Sequence, residues 1–225
     1  MFNINLGNTN IEILINVLTL VIPFLLCITI HELAHGFTAY RLGDPTAKNM
    51  GRLTLNPIKH IDPFGLIMIV LFRFGFAKPV PVNMHAFSHP KGYMAVTAFA
   101  GPLSNIILAL VAMFIYGLLF FLIQSIPNPD ILDFVDRLFL NTISLSVMLA
   151  VFNILPIPPL DGSKILFSVL SEENYYKLMR FERFGFIALI LLLNVPFFRN
   201  ILNVMQSTIF ESFVHIWRVA IDIVN

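Results

Sequence analysis

His31 and His35 stand four residues apart in the stretch His31-Glu32-Leu33-Ala34-His35. On a helix this spacing places both imidazoles on one face, one turn apart, so that both can reach one metal ion. Glu32 is not placed as a further ligand beside them, but it can hold and deprotonate a metal-bound water. Because this pattern is typical of zinc hydrolases, we interpret His31 and His35 as zinc ligands and Glu32 as the catalytic base.

The residues before this motif strengthen that interpretation. Residues 11–30 are almost all apolar, and about 20 such residues are enough to cross a membrane as a helix. Ionisable side chains that continue a membrane helix are costly there and usually serve a function. A pair of histidines whose polar groups are simply satisfied at a helix end is the less favoured explanation.

The composition is that of an integral membrane protein. Of the 225 residues, 57% are hydrophobic and only 12% are charged, whereas soluble domains carry about 25% charged residues. The net charge of +1 does not suggest a nucleic-acid partner. Cys27 is the single cysteine, which excludes a disulfide framework and a thiolate zinc site. The first apolar run contains the motif and lacks a basic leader and a cleavage site, so we expect a permanent span and not a signal peptide.

A catalytic zinc takes three protein ligands and leaves one position open for water. The extended H-E-x-x-H-x-x-G-x-x-H pattern does not supply the third, because Thr38 and Arg41 stand where its glycine and third histidine would be. Topology favours Asp161, which follows an apolar span at the depth of the motif, in a proline-broken stretch of the kind that lines a cavity. A turn or helix-cap aspartate explains the same position equally well. The other candidates are His60, His85, His89, Asp44, Asp62, Glu172 and Glu173.

The pattern of apolar runs predicts an all-α multi-span membrane protein with about four transmembrane helices. The predicted spans are residues 11–40, 91–125, 138–155 and 184–198. Residues 63–76 are apolar but too short to cross, so they predict a re-entrant or interfacial segment. The amphipathic pattern from Ile201 onward predicts a C-terminal surface or packing helix. Whether residues 184–225 hold one span or two stays open.

A small β-hairpin or edge strand is predicted near the active site. Side chains at residues 51–55 alternate briefly in polarity, in a stretch that also contains turn residues. This pattern predicts a short strand. Pro79 and Pro81 forbid a central strand at residues 78–83 and permit an edge strand. We expect a single membrane-embedded domain over residues 1–225, with its catalytic core at about 11–164 and C-terminal helices at 165–225.

Basic residues predict the orientation in the membrane, because loops rich in lysine and arginine face the cytoplasm. Such residues crowd the segments after the first and third predicted spans, whereas the loop between the second and third is acidic. We therefore expect the N-terminus outside. The end of the first span that carries His31 and His35 is expected toward the cytoplasm, together with Asp161.

Three motifs in this order resemble the site-2 proteases, which are membrane-embedded zinc metalloproteases. They are residues 31–36 (HELAHG), 101–105 (GPLSN), and 153–156 (NILP) leading to 160–162 (LDG). The resemblance implies that Asp161 is the third zinc ligand, that Glu32 activates the water, and that Asn105 and Asn153 hold substrate or the developing oxyanion. Hydrogen bonding between helices is the alternative for both asparagines. The chain most resembles the compact branch of the family, which has no PDZ or CBS domain.

The resemblance implies an enzyme with one Zn²⁺ per chain that hydrolyses peptide bonds within or next to transmembrane segments. Its partners would be the lipid bilayer of a bacterial cell and a membrane-protein substrate with a transmembrane helix. That helix must unwind before cleavage, and an edge strand at Val80 and Val82 can hold the unwound segment by strand addition. The alternatives are a membrane metal-binding or metal-transport protein, which leaves Glu32 unexplained, and an inactive homologue. The histidines expected to be ordinary loop or surface residues are His60, His85, His89 and His215.

Overall fold

Helices account for nearly all of the regular structure in the part of the chain that the computed structural model describes. That part is residues 10–63, 65, 78–171, 173–175, 177, 185, 191–192 and 194–224. Its α-helices are α1 (Asn10–Arg41), α2 (Thr46–Asn49), α3 (Pro90–Leu118), α4 (Phe120–Gln124), α5 (Pro129–Asn153), α6 (Asp161–Phe167) and α7 (Pro196–Val224). Short 3-10 turns occur at Pro57–Lys59 and Met84–Ala86. The predicted helical class is therefore confirmed.

Helices α1, α3 and α5 are long and apolar enough to cross a membrane, and they coincide with the first three predicted spans, with changed boundaries. α3 ends at Leu118, earlier than predicted. α5 begins at Pro129, earlier than predicted, because Asn128 Oδ1 caps it by accepting the backbone N–H of Asp130 at 2.9 Å. The acidic segment expected to be a loop therefore forms the first turns of α5. The predicted fourth span, residues 184–198, lies mostly outside the described residues.

The end of α1 is set by Gly43, whose φ of 106° is open to glycine and costly for other residues. Its N–H donates to the Tyr40 carbonyl at 3.2 Å, and the N–H of Asp44 reaches back to the Ala39 carbonyl at 2.9 Å. These two bonds form a Schellman motif, which satisfies the last carbonyls of a helix. Helix α1 therefore ends one residue beyond the predicted first span, residues 11–40.

The three long helices pack against one another. α1 contacts α3 and α5, and α3 contacts α5. A buried cluster joins α1 to α5 through Phe24, Cys27, Ile28 and Leu145. The motif-bearing end of α1 is therefore held in place by the core of the bundle.

Helix α7 also belongs to this bundle, because it lies along α3 and α5. Phe213 is buried in a cluster with side chains of those two helices, namely Ala109, Ala112, Met113, Ile143, Val147 and Val151. Near the start of α7, Phe198 packs close to Leu160. Further along, the ring of Trp217 meets that of Phe120 edge-on with 5.5 Å between centroids. The predicted amphipathic C-terminal helix is confirmed as a packing helix.

The strand predicted at residues 51–55 is wrong. A short helix, α2, comes before it, and Gly51 then turns the chain with φ 63°. The N–H of Arg52 donates back to the Ala47 carbonyl at 2.9 Å. The local helix and turn thus use backbone groups that a strand would pair with a neighbour.

Residues 78–83 form a non-helical segment before the turn at Met84–Ala86. The N–H of Lys78 donates to the His60 carbonyl at 2.9 Å. No strand ladder occurs among the residues that the structure describes, so the predicted hairpin is not seen there. The predicted re-entrant or interfacial segment, residues 63–76, lies almost wholly outside those residues.

Candidate metal centre

Three buried side chains meet between α1 and the start of α6. His31 Nε2 and His35 Nε2 lie 3.0 Å apart, and each lies 3.1 Å from Asp161 Oδ2. None of the three residues exposes more than 8% of its surface. Within the described part of the chain, this is the only group of three histidine, cysteine, aspartate or glutamate residues close enough to hold one metal ion.

Asp161 reaches the histidines because the chain turns sharply after α5. α5 ends at Asn153 and α6 begins at Asp161, and the proline-rich residues between them do not continue the helix. Gly162 packs directly on the backbone carbonyls of Ile154 and Leu155, where any Cβ would collide. The missing side chain lets the start of α6 approach the end of α5, and this approach carries the carboxylate to the two imidazoles.

One face of α3 completes the surroundings of the imidazoles. Thr97, Gly101 and Asn105 are spaced by four residues and therefore share that face. The Nδ1–H of His35 donates to the Thr97 carbonyl at 2.7 Å. A Cβ on Gly101 would lie 2.6 Å from His31 Cε1 and closer still to ring atoms of His35, so only glycine leaves room for both rings. Asn105 is fully buried, with its amide 3.2 Å from His31 Nδ1.

The donor set fits Zn²⁺. Two imidazole nitrogens and one carboxylate oxygen form a ligand set of the kind that a catalytic zinc uses, and they leave a fourth position for water or substrate. Because the Thr97 carbonyl holds the proton of His35 on Nδ1, the Nε2 lone pair of His35 is available to a metal.

The charge of Asp161 also suits a metal ligand. Burial raises the pKa of its carboxyl, but the neighbouring His35 and His31 lower this pKa by more, so the net shift is below the usual range. Lys164 adds a positive charge, with Nζ 3.8 Å from Asp161 Oδ1. The ionised form of a carboxylate is the one that binds metals.

Glu32 lies next to this group without joining it. It is half-buried on α1, and its Oε2 accepts a hydrogen bond from the backbone N–H of Val80 at 2.7 Å. The other carboxylate oxygen remains able to accept a proton. This is the arrangement that the motif predicts for a base that is not a metal ligand.

The segment that contains Val80 is held against α1. A Cβ on Gly36 would lie only 3.0 Å from Val80 Cγ1, so this valine packs directly on the α1 backbone. Arg52 is buried, and its Nη2 donates to the Lys78 carbonyl at 2.6 Å. Of the two predicted substrate-holding residues, Val80 is buried and Val82 is half-buried.

The two predicted asparagines take different places. Asn105 lies against His31, whereas Asn153 Nδ2 donates to the Leu149 carbonyl of its own helix at 3.0 Å. The structure therefore brings Asn105 to the candidate centre, and it gives Asn153 a bond within α5. The roles of both in holding substrate or an oxyanion stay predictions.

Two alternative third ligands have structural bonds instead. Asp44 is fully buried, and its Oδ2 accepts the N–H of Asn83 at 2.7 Å. Asp62 Oδ1 accepts the N–H of Gly65 at 3.0 Å. Both carboxylates bond to backbone N–H groups and lie outside the group of three.

The remaining candidates also lie apart from the group. His60 is a loop residue as expected, but it is fully buried, with Nε2 2.9 Å from the Thr54 carbonyl. Glu173 pairs with Lys177 at 2.6 Å on the surface. Glu172 lies outside the described residues. The exposed histidines are His85, His89 and His215, as predicted.

Sequence reasoning missed two contributors to this site. Thr97 acts through its backbone carbonyl, which any residue could supply, and the available signal was its four-residue spacing from Gly101 and Asn105. Arg52 is one of the basic residues that follow the first predicted span, but it is buried and donates to a carbonyl 26 residues away. No local pattern marks a partner at that distance.

Comparison with known proteins agrees with this geometry. The family model for Peptidase family M50 matches residues 19–128 and 123–193. "Putative zinc metalloprotease YwhC" of Bacillus subtilis is 42% identical over 180 residues, covering 79% of this chain and 80% of that protein. Rip2 of Mycolicibacterium smegmatis carries the same description and is 31% identical over 180 residues, covering 77% of this chain and 65% of its own length. No solved structure matches the chain.

The matched regions contain all three members of the buried group, His31, His35 and Asp161. The descriptions of the relatives name zinc, which is the metal that the donor set fits. The chain therefore belongs to peptidase family M50, the zinc metalloprotease family of the site-2 proteases.

Proposed function

We propose that this chain is an intramembrane zinc endopeptidase, which hydrolyses peptide bonds within or next to transmembrane segments of other membrane proteins. His31, His35 and Asp161 bind one Zn²⁺ per chain, and Glu32 is the general base. The observation that carries the proposal is that His31 Nε2, His35 Nε2 and Asp161 Oδ2 lie 3.0–3.1 Å from one another. The three side chains are buried, and they lie among helices that are apolar enough to cross a membrane. The adjacent Glu32 supplies a proton acceptor, which a metal-transport site does not need.

The chain's own residues orient the reactants and move the proton. Zinc, when bound, supplies a Lewis acid that lowers the pKa of a water toward about 7 and polarises the scissile carbonyl. Glu32 accepts the water proton on Oε1, because its Oε2 is already bonded to the Val80 N–H. The water oxygen bonds to the scissile carbonyl carbon, and Glu32 then donates the proton to the leaving amide nitrogen as the C–N bond breaks. The Thr97 carbonyl keeps His35 in one orientation throughout.

The edge at residues 80–83 holds the unwound substrate by strand addition. A residue before a proline favours extended backbone, which applies to Val80 before Pro81. Alternate residues of an extended chain point their backbone groups to the same side, and the Val80 N–H points to Glu32. The backbone groups of Val82 then face that side as well. A substrate strand paired with Val82 therefore lies next to the base.

The site faces the cytoplasm of a bacterial cell membrane, and the N-terminus lies outside. The basic residues after α1 and after α5 support this orientation. Helix α7 packs beside α3 and α5. Its 29 residues extend over about 43 Å at 1.5 Å per residue, and its contacts run from Leu160 to Phe120.

The test is a search for substrates in cells. Membrane-protein fragments are compared by mass spectrometry between cells with the wild-type chain and cells with Glu32→Gln. The proposal expects fragments that end within or beside transmembrane segments and that depend on the wild-type chain, and it expects the purified protein to cut the same proteins. Identical fragment sets, together with no cleavage by the purified protein, would refute it.

A further inference from the structure

His31 needs its proton on Nδ1 if its Nε2 is to bind a metal. A neutral imidazole carries one proton, and the metal-binding nitrogen must present its lone pair. Metal-binding histidines therefore donate the other ring N–H to an acceptor, which sets the tautomer and the ring orientation. His35 meets this requirement through the Thr97 carbonyl, 2.7 Å from its Nδ1.

The group that faces His31 Nδ1 is the side-chain amide of Asn105. Asn105 Nδ2 and His31 Nδ1 lie 3.2 Å apart. In this orientation the amide N–H donates to Nδ1, and the His31 proton is then on Nε2, facing Asp161 Oδ2. Asn105 Oδ1 is buried and has no hydrogen-bond partner within the described part of the chain. The amide oxygen thus lacks a donor, while the metal-binding form of His31 lacks an acceptor.

We propose that Asn105 is a positioning residue for the metal centre, and that its amide, turned by half a revolution about the Cβ–Cγ bond, accepts the His31 Nδ1–H through Oδ1. This half-turn exchanges the amide oxygen and nitrogen and moves no other atom of the site. It gives the buried oxygen a donor, which removes the cost of an unsatisfied acceptor. It also places the His31 proton on Nδ1 and leaves the Nε2 lone pair to zinc.

The two histidines are then oriented in the same way, each by an oxygen from α3. His35 uses the backbone carbonyl of Thr97, and His31 uses the side chain of Asn105, two helical turns further along. Gly101 stands between these positions and lets both rings reach α3. Asn105 is fully buried, so bulk water does not compete for the bond.

Two substitutions at Asn105 distinguish a role as hydrogen-bond acceptor from a role in packing alone. Asn105→Leu keeps a similar size and removes the acceptor. Asn105→Asp keeps an acceptor oxygen and removes the amide N–H. Ser104→Ala is the matched control, because Ser104 Oγ bonds only to the Gly101 carbonyl of its own helix among the described residues. The full chains are purified in detergent, and zinc affinity is measured by competition with a chromogenic chelator.

We expect Asn105→Leu to bind zinc about 10- to 100-fold more weakly, which is the usual cost of losing a partner behind a ligand. Asn105→Asp and Ser104→Ala should bind zinc as tightly as the wild type. Cobalt-substituted Asn105→Asp should keep the visible absorption of a tetrahedral site. Rescue by the aspartate would show that the acceptor matters, since packing alone favours leucine over a charged group.

Wild-type zinc affinity in Asn105→Leu, or an equal loss in Asn105→Asp, would overturn the inference. If the leucine variant does not fold, the aspartate variant decides by itself, and a loss of about tenfold or more refutes the proposed role. The inference rests on the proposed zinc ligation by His31, which His31→Ala tests separately. Zinc binding unchanged in His31→Ala refutes the metal centre, whereas loss there with none in Asn105→Leu refutes only the role of Asn105.

Discussion

The backbone N–H of Val80 donates a 2.7 Å hydrogen bond to Oε2 of Glu32, across 48 residues of sequence. Val80 is buried against α1, where it packs on Gly36. The bond orients the carboxylate and leaves one of its oxygens for proton transfer. This hydrogen bond connects the proposed base to the proposed substrate-holding edge. We therefore expect a displacement of the edge to change the orientation of the Glu32 carboxylate.

Replacing Glu32 by glutamine should separate zinc binding from cleavage. Glutamine can still accept the Val80 N–H through its amide oxygen, but it cannot take up a proton at neutral pH. We expect Glu32→Gln to retain about one zinc per chain and to cleave at a rate lower by roughly a hundredfold or more. Elemental analysis and cleavage of a membrane-spanning substrate in detergent measure both. Glu12→Gln, at the exposed start of α1, is the control, and full activity in Glu32→Gln would contradict the mechanism.

The two buried aspartates should respond differently to substitution by asparagine. Asp161→Asn should lose zinc and cleavage, because the neutral amide is a much weaker metal ligand than the carboxylate. Asp44→Asn weakens a loop contact to Asn83 but should keep zinc in the folded chain. Metal content per folded chain in detergent checks this pair. Unchanged zinc in Asp161→Asn would place the third ligand elsewhere.

A single methyl group at Gly101 should disrupt the centre. Its Cβ would lie 2.6 Å from His31 Cε1 and would also collide with the His35 ring, so the imidazoles must move. We expect Gly101→Ala to bind zinc at least about tenfold more weakly, by analogy with the loss of other groups that orient ligands. Gly92→Ala is the matched control on the same helix, because its Cβ meets nothing within 4 Å. Equal zinc affinity in the two variants would argue against the observed packing of α3 on the histidines.

A photo-crosslinker at Val82 should capture the unwound segment of a substrate. Val82 is half-buried, and in the proposed extended edge its backbone groups face the side of Glu32, whereas Val80 is too buried to be a good position for the probe. The comparison is a crosslinker at Ile107, which is exposed on α3 and is expected to face lipid. Mass spectrometry of the adducts in the Glu32→Gln background gives the result. Substrate crosslinks confined to the long helices would exclude strand addition.

Cysteine labelling should report the orientation of the chain. Ser125→Cys, in the exposed turn before α5, is expected to react with an impermeant thiol reagent from outside the cell. Asn49→Cys, exposed at the end of α2, should react only after the membrane is opened. Cys27 is buried and should contribute little background. The reverse pattern would place the candidate centre toward the outside.

The sequence alone determined the features that depend on near neighbours. The spacing of His31 and His35 places two ligands on one helical face, because an α-helix repeats every 3.6 residues. Long apolar runs predicted about four spans, of which the first three coincide with α1, α3 and α5, because the free energy of burying apolar residues in lipid adds up along the run. Each of these features follows from local geometry or from a sum over adjacent residues.

The tertiary structure decided which distant groups meet. Asp161 lies 130 residues from His31 in sequence, and from the residues alone a helix-cap aspartate was as good an explanation of it. Asp161 lies close to His31 because Gly162 has no side chain and can pack against the carbonyls of Ile154 and Leu155. The orientation of Glu32 depends on its hydrogen bond from the Val80 N–H. The strand expected at residues 51–55 is absent for the same reason, since the N–H groups of Gly51 and Arg52 donate to carbonyls of α2. Backbone donors and acceptors are identical in nearly every residue, so only packing decides which of them meet.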